Sequence, residues 1–164
     1  MENPTHCEFL RYEQREAFTV VGIQEKTLYT EVGTKEKLAA ERLNEKSSEI
    51  KNTKDSFTYR VDFDIEHTGM TFVLGKAVTK VEDIPEGMVS KEVPAHEYAV
   101  ICHKGSREKL KDTYMWFYTK LMGDKGYKYN TTPNFYVYDE RYIPEGSDTD
   151  KSYFEIYISI KKPE

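Results

Sequence analysis

Cysteine is scarce in this chain and long apolar runs are missing, and each absence excludes a class of protein. Cys7 and Cys102 are the only cysteines, so the sequence predicts no disulfide framework and favours a reducing cytoplasm. No window approaches the roughly 18 apolar residues that a membrane span requires. The N-terminus also lacks the basic segment and apolar core of a secretory signal. We therefore expect a cytoplasmic protein that does not enter a membrane.

Motifs for catalysis, metal binding and phosphate binding are missing as well. The sequence contains no Gly-rich phosphate loop, nucleophile elbow or HExxH segment. The pairs His6-Cys7 and Cys102-His103 offer nitrogen and sulfur ligands. However, adjacent strand residues point to opposite faces, and neither pair has the spacing of a structural zinc site. We expect no metal ion and no cofactor.

Basic residues form no sustained run in this acidic chain. There are 24 Lys and Arg against 29 Asp and Glu, for a net charge of -5 over 164 residues. This balance argues against nucleic acid as a direct partner and suits a small cationic ligand better. The chain also has 13 tyrosines, which can line a wet cavity or fill half-buried strands.

The segment 153–160, YFEIYISI, predicts a strand with a carboxylate at its centre. Alternation puts its phenylalanine and isoleucines on one face, which should pack against helices, and Tyr153, Glu155 and Tyr157 on the other. Glu155 must then be hydrated, hydrogen-bonded or neutralised by a cation. An open pocket with Glu155 at its base would satisfy this requirement, and so would a face in water at a sheet edge.

Hydrophobic periodicity predicts the order strand, helix, strand, strand in each half of the chain. The first half has a strand over 18–23, a helix over 35–50 and strands over 57–65 and 70–79, and the second has a strand over 98–103, a helix over 107–122 and strands over 134–140 and 153–160. We therefore predict one domain over 1–164 with halves of about 16–80 and 90–162. Its α+β fold would join both halves in a largely antiparallel sheet, with two helices on one face and a ligand groove between the halves on the other.

Two local patterns refine this prediction. The segment 57–65 alternates between apolar residues and a polar set that includes Arg60 and Asp62, which is typical of a half-buried strand. Gly75 lies inside the next predicted strand and indicates a bulge or a close approach of another backbone.

Three stretches resemble the GyrI-like small-molecule-binding family, whose fold also serves as the effector-binding domain of AraC-type and MerR-type bacterial regulators. FTVVGI, from residue 18, is similar to the family's opening strand. The stretch 70–105, MTFVLGKAVTKVEDIPEGMVSKEVPAHEYAVICHKG, is similar to its middle, where a glycine-containing strand leads through a Pro-Gly connector to a Tyr-Ala-Val strand. The stretch 135–162, FYVYDERYIPEGSDTDKSYFEIYISIKK, is similar to its ending, with a last strand of the type Glu-Ile-Tyr-Ile-Pro-Ile. Because only about 17 residues precede the first predicted strand, the chain resembles the stand-alone members.

The resemblance implies a pocket between the halves that captures lipophilic, cationic small molecules of the multidrug type. Its basal glutamate corresponds to Glu155, and Tyr138 matches the tyrosine of the preceding strand. Two positions depart from the family pattern. Ser159 stands where relatives often have proline, and Tyr136 stands where some have a second acidic residue.

Aromatic side chains on several elements are candidate walls of that pocket. The candidates are Tyr157, Trp116, Tyr136, Tyr98, Tyr59 and Phe18. Tyr136 and Tyr138 share a strand face, so both point into the groove or both point away. For Phe18 and Tyr59 an ordinary core position is the favoured alternative, and Trp116 could equally pack on the adjoining loop.

Two other functions stay open at this point. Some GyrI-like relatives are hydrolases of strained electrophilic rings, in which case Glu155 would be the general base and Tyr138 or Tyr157 the proton donor. The family's name also derives from a gyrase inhibitor, so the second alternative is a protein-interaction module that uses the acidic loop over 140–150 on an unidentified partner.

Overall fold

The computed structural model describes residues 5–121, 128–129, 133–143 and 151–161, and an antiparallel sheet dominates it. Within these ranges the strands are β1 (Cys7–Arg15), β2 (Phe18–Leu28), β3 (Thr58–Phe63), β4 (Gly69–Val78), β5 (Val89–Val93), β6 (His96–Lys104), β7 (Lys128–Tyr129), β8 (Asn134–Tyr138) and β9 (Tyr153–Lys161). The helices are α1 (Val32–Lys46) and α2 (Leu110–Trp116); a 3-10 turn over Arg107–Lys109 precedes α2 and a π-helical turn over Phe117–Leu121 follows it. The predicted α+β class is confirmed.

Every predicted strand and both predicted helices are present, but β1, β5 and β7 were not predicted. β5 lies in the connector that the sequence marks as rich in turn residues, and β1 lies in the N-terminal segment. Both carry many charged residues, because each forms an outer strand of the sheet. The predicted loops over 123–133 and 141–152 lie largely outside the described residues, as does most of the acidic loop.

The strand order is β1-β6-β9-β8-β3-β4-β2-β5, and β7 pairs separately with β9. Strands β2, β3 and β4 of the first predicted half lie together, and so do β6, β8 and β9 of the second. The two groups meet where β3 pairs antiparallel with β8. The junction between the halves is therefore a continuous part of one sheet.

The two outer strands are exchanged between the groups. β1 precedes β2 in the chain but pairs with β6, whereas β5 precedes β6 but pairs with β2. Each group therefore receives its outer strand from the segment that leads into the other.

The pairing of β2 with β4 requires two glycines that face each other. Gly22 lies opposite Gly75, and a β-carbon on either residue would collide with the backbone of the facing strand. The register continues through this pair without a shift. Of the two expectations for Gly75, the structure therefore supports the close approach.

The helices cover one face of the sheet and build the helix-side core with it. Phe154, Ile156, Ile158 and Ile160 of β9 are buried there with Leu43 of α1. The predicted alternation of this strand is confirmed. The faces of the other strands follow from their register with β9.

The opposite face of the sheet buries a second core although no described helix covers it. This core contains Phe18, Val20, Tyr59, Val61, Val73, Ala77, Val93, Tyr98, Val100, Phe135 and Tyr157. The rings of Phe18 on β2 and Phe135 on β8 lie 5.0 Å apart, although three strand spacings, or roughly 14 Å on a flat sheet, separate these strands. The sheet therefore curves around this side, which we call the concave face.

The polar side of β3 corrects the expectation of a half-buried strand. Arg60 is 2% exposed and Asp62 is 4% exposed, and both lie on the helix side. Tyr59 and Val61 are buried on the concave face. β3 is therefore buried on both faces, because its polar residues pair with one another and with groups from the helices.

Candidate ligand site on the concave face

Five aromatic rings from five strands meet on the concave face. This aromatic cluster consists of Phe18 (β2), Tyr59 (β3), Tyr98 (β6), Phe135 (β8) and Tyr157 (β9). Phe135 is central: its ring stacks on Tyr157 with centroids 4.4 Å apart and meets Phe18 and Tyr98 edge to face at 5.0 Å each. The strands come from both halves, so the cluster lies across their junction.

A guanidinium group lies against this cluster. Arg15 is the last residue of β1, and its guanidinium carbon is 5.3, 5.3 and 5.2 Å from the ring centroids of Phe18, Phe135 and Tyr157. Such distances allow cation–π attraction. Arg15 donates a hydrogen bond of 3.3 Å to Glu13 and also interacts with the Tyr59 hydroxyl, and its side chain is 22% exposed. Arg15 therefore closes the cluster at its border with solvent.

The hydroxyl groups of the cluster differ in how well they are satisfied. The Tyr59 hydroxyl donates a hydrogen bond of 2.7 Å to Asp55. The Tyr98 hydroxyl is fully buried and has no hydrogen-bond partner among the described residues. Burial raises the pKa of Tyr98 to about 12, although Arg15 opposes this shift. A buried hydroxyl without a partner is uncommon, so Tyr98 provides an unused polar group within an aromatic site.

Glu155 lies beside the aromatic cluster on the same face as Tyr157. Its carboxylate accepts a hydrogen bond of 3.0 Å from the Tyr153 hydroxyl. It is 3.7 Å from the Arg11 guanidinium and 3.8 Å from that of Arg141. Arg11 also donates a hydrogen bond of 3.0 Å to the Tyr157 hydroxyl. The carboxylate is therefore linked to the cluster through Arg11, and its side chain is 18% exposed.

A different cluster lies on the helix side of the same central strands. This ion-pair cluster consists of Glu36 (α1), Arg60 and Asp62 (β3), Arg107 (before α2) and Tyr138 (β8). Arg60 donates hydrogen bonds of 2.9 and 2.8 Å to Asp62 and one of 2.7 Å to Glu36. Arg107 forms an ion pair of 2.6 Å with Glu36, to which the Tyr138 hydroxyl donates a bond of 2.7 Å. The cluster joins both helical regions to the junction strands.

The carboxyl groups of this cluster have different electrostatic surroundings. Burial raises the pKa of Glu36, but attraction to Arg60 and Arg107 outweighs it and lowers the pKa to about 2. Asp62 forms an ion pair of 2.8 Å with Arg60, but burial outweighs this attraction and raises the pKa of Asp62. Two guanidinium groups hold Glu36 as a carboxylate, so it is a weak proton acceptor at neutral pH.

The sheet divides the predicted ligand residues into two groups. It brings Phe18, Tyr59, Tyr98 and Tyr157 together on the concave face, next to Glu155. Tyr136, Tyr138 and Trp116 are instead buried in the helix-side core. Tyr136 stacks under Arg60, whose guanidinium carbon is 3.8 Å from its ring centroid, and its hydroxyl shares a hydrogen bond with that of Tyr114.

This division bears on the predicted hydrolase. Tyr138 and Glu155 project from opposite faces of the sheet, because Glu155 lies opposite Val137 in the β8–β9 ladder. They cannot act on the same substrate atom in this arrangement. Tyr157 does share a face with Glu155, but burial raises the pKa of its hydroxyl and makes it a weaker acid.

Sequence reasoning missed several of these residues. Phe135 could have been found, since it alternates with Tyr136 and must face the other side of the sheet. Glu36 also gave a signal, because it precedes Ala39 and Leu43 at helical spacing and therefore shares their buried stripe. Arg15 gave none, because nothing in a charged N-terminal segment identifies an inward-facing arginine.

An open cleft of about 600 Å³ lies elsewhere, where β2 and β4 end. Its lining is largely polar and includes Lys26, Leu28, Lys35, Asp64 and Glu66. None of the predicted site residues lines it. Tyr59 of the aromatic cluster and Asp64 of the cleft lining are five residues apart along the chain, which corresponds to roughly 17 Å at 3.3 Å per residue.

Metal-binding and membrane-spanning features are not found in the described part of the chain. No group of three or more His, Cys, Asp or Glu side chains there could hold a metal ion. Both ring nitrogens of His103 already have partners, Thr113 Oγ1 and the Ser106 carbonyl, each at 2.8 Å. Among the described residues no helix has the length and apolar character needed to cross a bilayer.

Solved structures share this fold at low sequence identity. The structure of SAV2435 bound to tetraphenylphosphonium has a TM-score of 0.68 and 16% identity, with 94% of each chain covered. The EcmrR C-terminal domain has a TM-score of 0.71 and 15% identity, with 93% of this chain and 97% of that chain covered. The integron cassette protein VCH_CASS2 from the mobile metagenome of Vibrio cholerae has a TM-score of 0.61 and 15% identity, with 95% and 98% covered. At such identities the likeness is evidence of fold.

Sequence comparison matches the chain to one protein family and to one transcriptional regulator. The transcriptional regulator BrlR of Pseudomonas aeruginosa is 33% identical over 89 residues, which are 54% of this chain and 32% of BrlR. The chain thus spans about a third of the length of that relative. Residues 11–160 match the Cass2 family, described as integron-associated effector binding protein. This match confirms the predicted relationship to effector-binding domains. Because it extends from β1 to β9, the chain belongs to the Cass2 family of integron-associated effector binding proteins.

Proposed function

We propose that the chain captures lipophilic organic cations at the aromatic cluster of the concave face. The observation that carries this proposal is the meeting of five aromatic rings from both halves around a guanidinium group. A site that holds the cation of Arg15 against three rings has the surface that a planar or aryl-substituted cation requires. Each well-placed ring contributes roughly 0.5–2 kcal/mol to the binding of a cation.

Charge near the cluster supports a cationic ligand. Glu155 lies next to Tyr157, and Glu13 bonds to Arg15 at the border of the cluster. The arginines close to Glu155 are held at 3.7 and 3.8 Å and have side chains 43% and 49% exposed. Both arginines make shorter hydrogen bonds to other groups, Arg141 to Asp139 at 2.6 Å and Arg11 to Glu13 at 2.9 Å, so their long, exposed ion pairs with Glu155 are weak and leave the carboxylate able to attract a ligand.

The relatives support the same ligand class. The family consists of effector binding proteins, and SAV2435, which shares the fold, was solved with bound tetraphenylphosphonium. That compound is a monovalent cation that carries four aryl groups. An aromatic cluster with a carboxylate beside it is complementary to such a molecule.

Binding is favoured over turnover by the acidity of the available hydroxyls. Burial raises the pKa values of Tyr59, Tyr98 and Tyr157 above the ordinary value for tyrosine. A general acid works best with a pKa near the operating pH, so these hydroxyls are poor proton donors at pH 7. The chain would therefore hold its ligand unchanged, either to buffer it or to report it to a regulatory partner.

Isothermal titration calorimetry with tetraphenylphosphonium tests this function. We expect saturable binding by the wild-type chain, weaker binding of the neutral triphenylphosphine oxide, and a loss of about 1.5–3 kcal/mol for tetraphenylphosphonium in Glu155→Gln. Glu25→Gln is the matched control, since Glu25 is also a partly exposed carboxylate paired with an arginine, Arg42. Absence of binding, or affinity that is the same for both compounds and unaffected at Glu155, would contradict the proposal.

A further inference from the structure

We propose that Arg15 is a built-in occupant of the aromatic cluster, which a ligand cation must displace, and that it therefore sets the affinity for cations. This inference rests on the proposed function, because it concerns the same cluster. It assigns a specificity-determining role to a residue of the outer strand β1.

The first support is the position of the guanidinium. It is nearly equidistant from Phe18, Phe135 and Tyr157, at 5.3, 5.3 and 5.2 Å from their ring centroids. These rings come from β2, β8 and β9, so Arg15 bridges both halves from a strand that pairs with β6. A ligand cation that uses the same three rings would need the volume that Arg15 fills.

The second support is the weakness of its polar contacts. Arg15 donates to Glu13 at 3.3 Å, and Glu13 is already bonded to Arg11 at 2.9 Å. Arg15 also interacts with the Tyr59 hydroxyl and acts to lower its pKa, but that hydroxyl donates its own hydrogen bond to Asp55 and does not depend on Arg15 for a partner. In contrast, Arg60 makes three hydrogen bonds of 2.7 to 2.9 Å to two buried carboxylates. Arg15 is 22% exposed at the side chain and Arg60 only 2%. Arg15 can therefore turn into solvent without leaving a buried carboxylate unpaired, whereas Arg60 cannot.

The third support is the unused hydroxyl of Tyr98. It is buried in the cluster within the electrostatic influence of Arg15, yet Arg15 makes no hydrogen bond to it and it has no other partner among the described residues. An occupant that satisfied the site fully would not leave this group unpaired. We infer that the site is shaped for a larger cationic ligand with a hydrogen-bonding group or a bound water, and that Arg15 fills it incompletely.

Displacement of an internal occupant has a measurable consequence. The apparent affinity of a ligand equals its intrinsic affinity multiplied by the fraction of molecules in which its site is free. If Arg15 occupies the cluster in about nine molecules out of ten, its removal tightens binding of a cation by roughly tenfold. Loss of a nearby positive charge acts in the same direction.

The test is titration calorimetry of tetraphenylphosphonium against wild type, Arg15→Ala, Arg15→Gln and Arg15→Lys. We expect roughly tenfold tighter binding in the alanine and glutamine variants and near wild-type affinity in the lysine variant, which retains the cation. Arg42→Gln is the control, because it changes net charge by the same amount at an exposed ion pair with Glu25. It should leave the affinity unchanged.

The outcomes separate this inference from the proposed function. If wild type binds and removal of Arg15 leaves binding unchanged or weaker, Arg15 is not a competing occupant and the inference is wrong. If only the Arg15 variants bind, the inference holds and the proposed function of the wild-type chain fails. If none of them binds, both fail. Far-ultraviolet circular dichroism checks that each variant is folded. If Arg15→Ala unfolds, the affinity of Arg15→Gln for tetraphenylphosphonium provides the test, because glutamine keeps most of the side-chain volume.

Discussion

Two arginines lie on aromatic rings on opposite faces of this sheet, and they are held in different ways. Arg60 is enclosed by Glu36 and Asp62 above the ring of Tyr136 and is almost completely buried. Arg15 touches the aromatic cluster, is partly exposed, donates a hydrogen bond of 3.3 Å to Glu13 and interacts with the Tyr59 hydroxyl. The same guanidinium chemistry thus serves as a fixed internal contact on the helix side and as an exchangeable one on the concave face. The difference shows that ion pairing and burial, more than contact with aromatic rings, decide whether such a group can leave.

The largest expected effect on stability comes from removing Arg60 from the ion-pair cluster. Arg60→Met should lower the free energy of unfolding by about 3–5 kcal/mol, because it leaves buried carboxylates without their partner. Urea denaturation measures this change. Arg42→Gln, at an exposed pair, should shift it by less than about 0.5 kcal/mol. If Arg60→Met and Arg42→Gln lowered the free energy of unfolding equally, Arg60 would not be the fixed contact that this comparison makes it.

Low pH should weaken the ion-pair cluster, because it protonates Glu36. Its pKa is about 2 in the folded chain against an ordinary value of 4.5. A carboxyl whose folded pKa is lowered stabilises the fold above the unfolded pKa and loses this contribution as pH falls toward the folded pKa. We expect a loss of about 3 kcal/mol between pH 5 and pH 2 from this group. Denaturation of wild type and Glu36→Gln across this range should show the difference between them shrinking as pH falls, and a constant difference would rule out the role of Glu36.

Hydroxyl deletions distinguish satisfied from unsatisfied groups on the concave face. Tyr59→Phe removes the bond of 2.7 Å to Asp55 and should destabilise the fold by about 0.5–1.5 kcal/mol. Tyr98→Phe removes a buried hydroxyl without a partner among the described residues, so stability should stay the same or rise by up to about 1 kcal/mol. Thermal unfolding of the two variants side by side makes the comparison, and a larger loss at Tyr98 would show that its hydroxyl has a partner in solution.

The smallest loss of stability is expected on substitution of Arg15. Arg15→Gln should lower the free energy of unfolding by about 1 kcal/mol or less, because an occupant bound in about nine molecules out of ten is held by only about 1.4 kcal/mol and the glutamine side chain retains part of its packing. Urea denaturation in the series with Arg60→Met tests this. A loss as large as that of Arg60→Met would mean that Arg15 is a structural residue and not a displaceable one.

Alternation in the sequence predicted a large part of the fold, and the aromatic residues named as candidate pocket walls include four of the five rings of the aromatic cluster. The pattern of β9 gave its helix-facing side correctly, and the predicted set included Phe18, Tyr59, Tyr98 and Tyr157, which the structure brings together. That set also included Tyr136, Tyr138 and Trp116, which the structure places on the helix side. A strand pattern fixes which side chains share a face of one strand. It does not fix how neighbouring strands align, and that alignment decides which rings meet.

The residues that the sequence did not reveal are charged ones in buried positions. A polar set on a strand is ordinarily a solvated face, so Arg60 and Asp62 gave no sign that they are buried against Glu36. Their burial depends on partners distant in sequence. Arg15 belongs to β1, whose charged pattern obscured the strand itself and with it the residue that closes the cluster.

The exchange of outer strands has a mechanical consequence. Because β1 leads into β2 yet pairs with β6, and β5 leads into β6 yet pairs with β2, two connections of two residues each, over 16–17 and 94–95, tie the groups together at both margins of the sheet, and the β3–β8 ladder joins them at its centre. A hinge between the halves is therefore an unfavourable route for opening this molecule. Under the proposal that Arg15 occupies the aromatic cluster, rotation of this one side chain at the end of β1 would admit a ligand while both groups of strands stay in place.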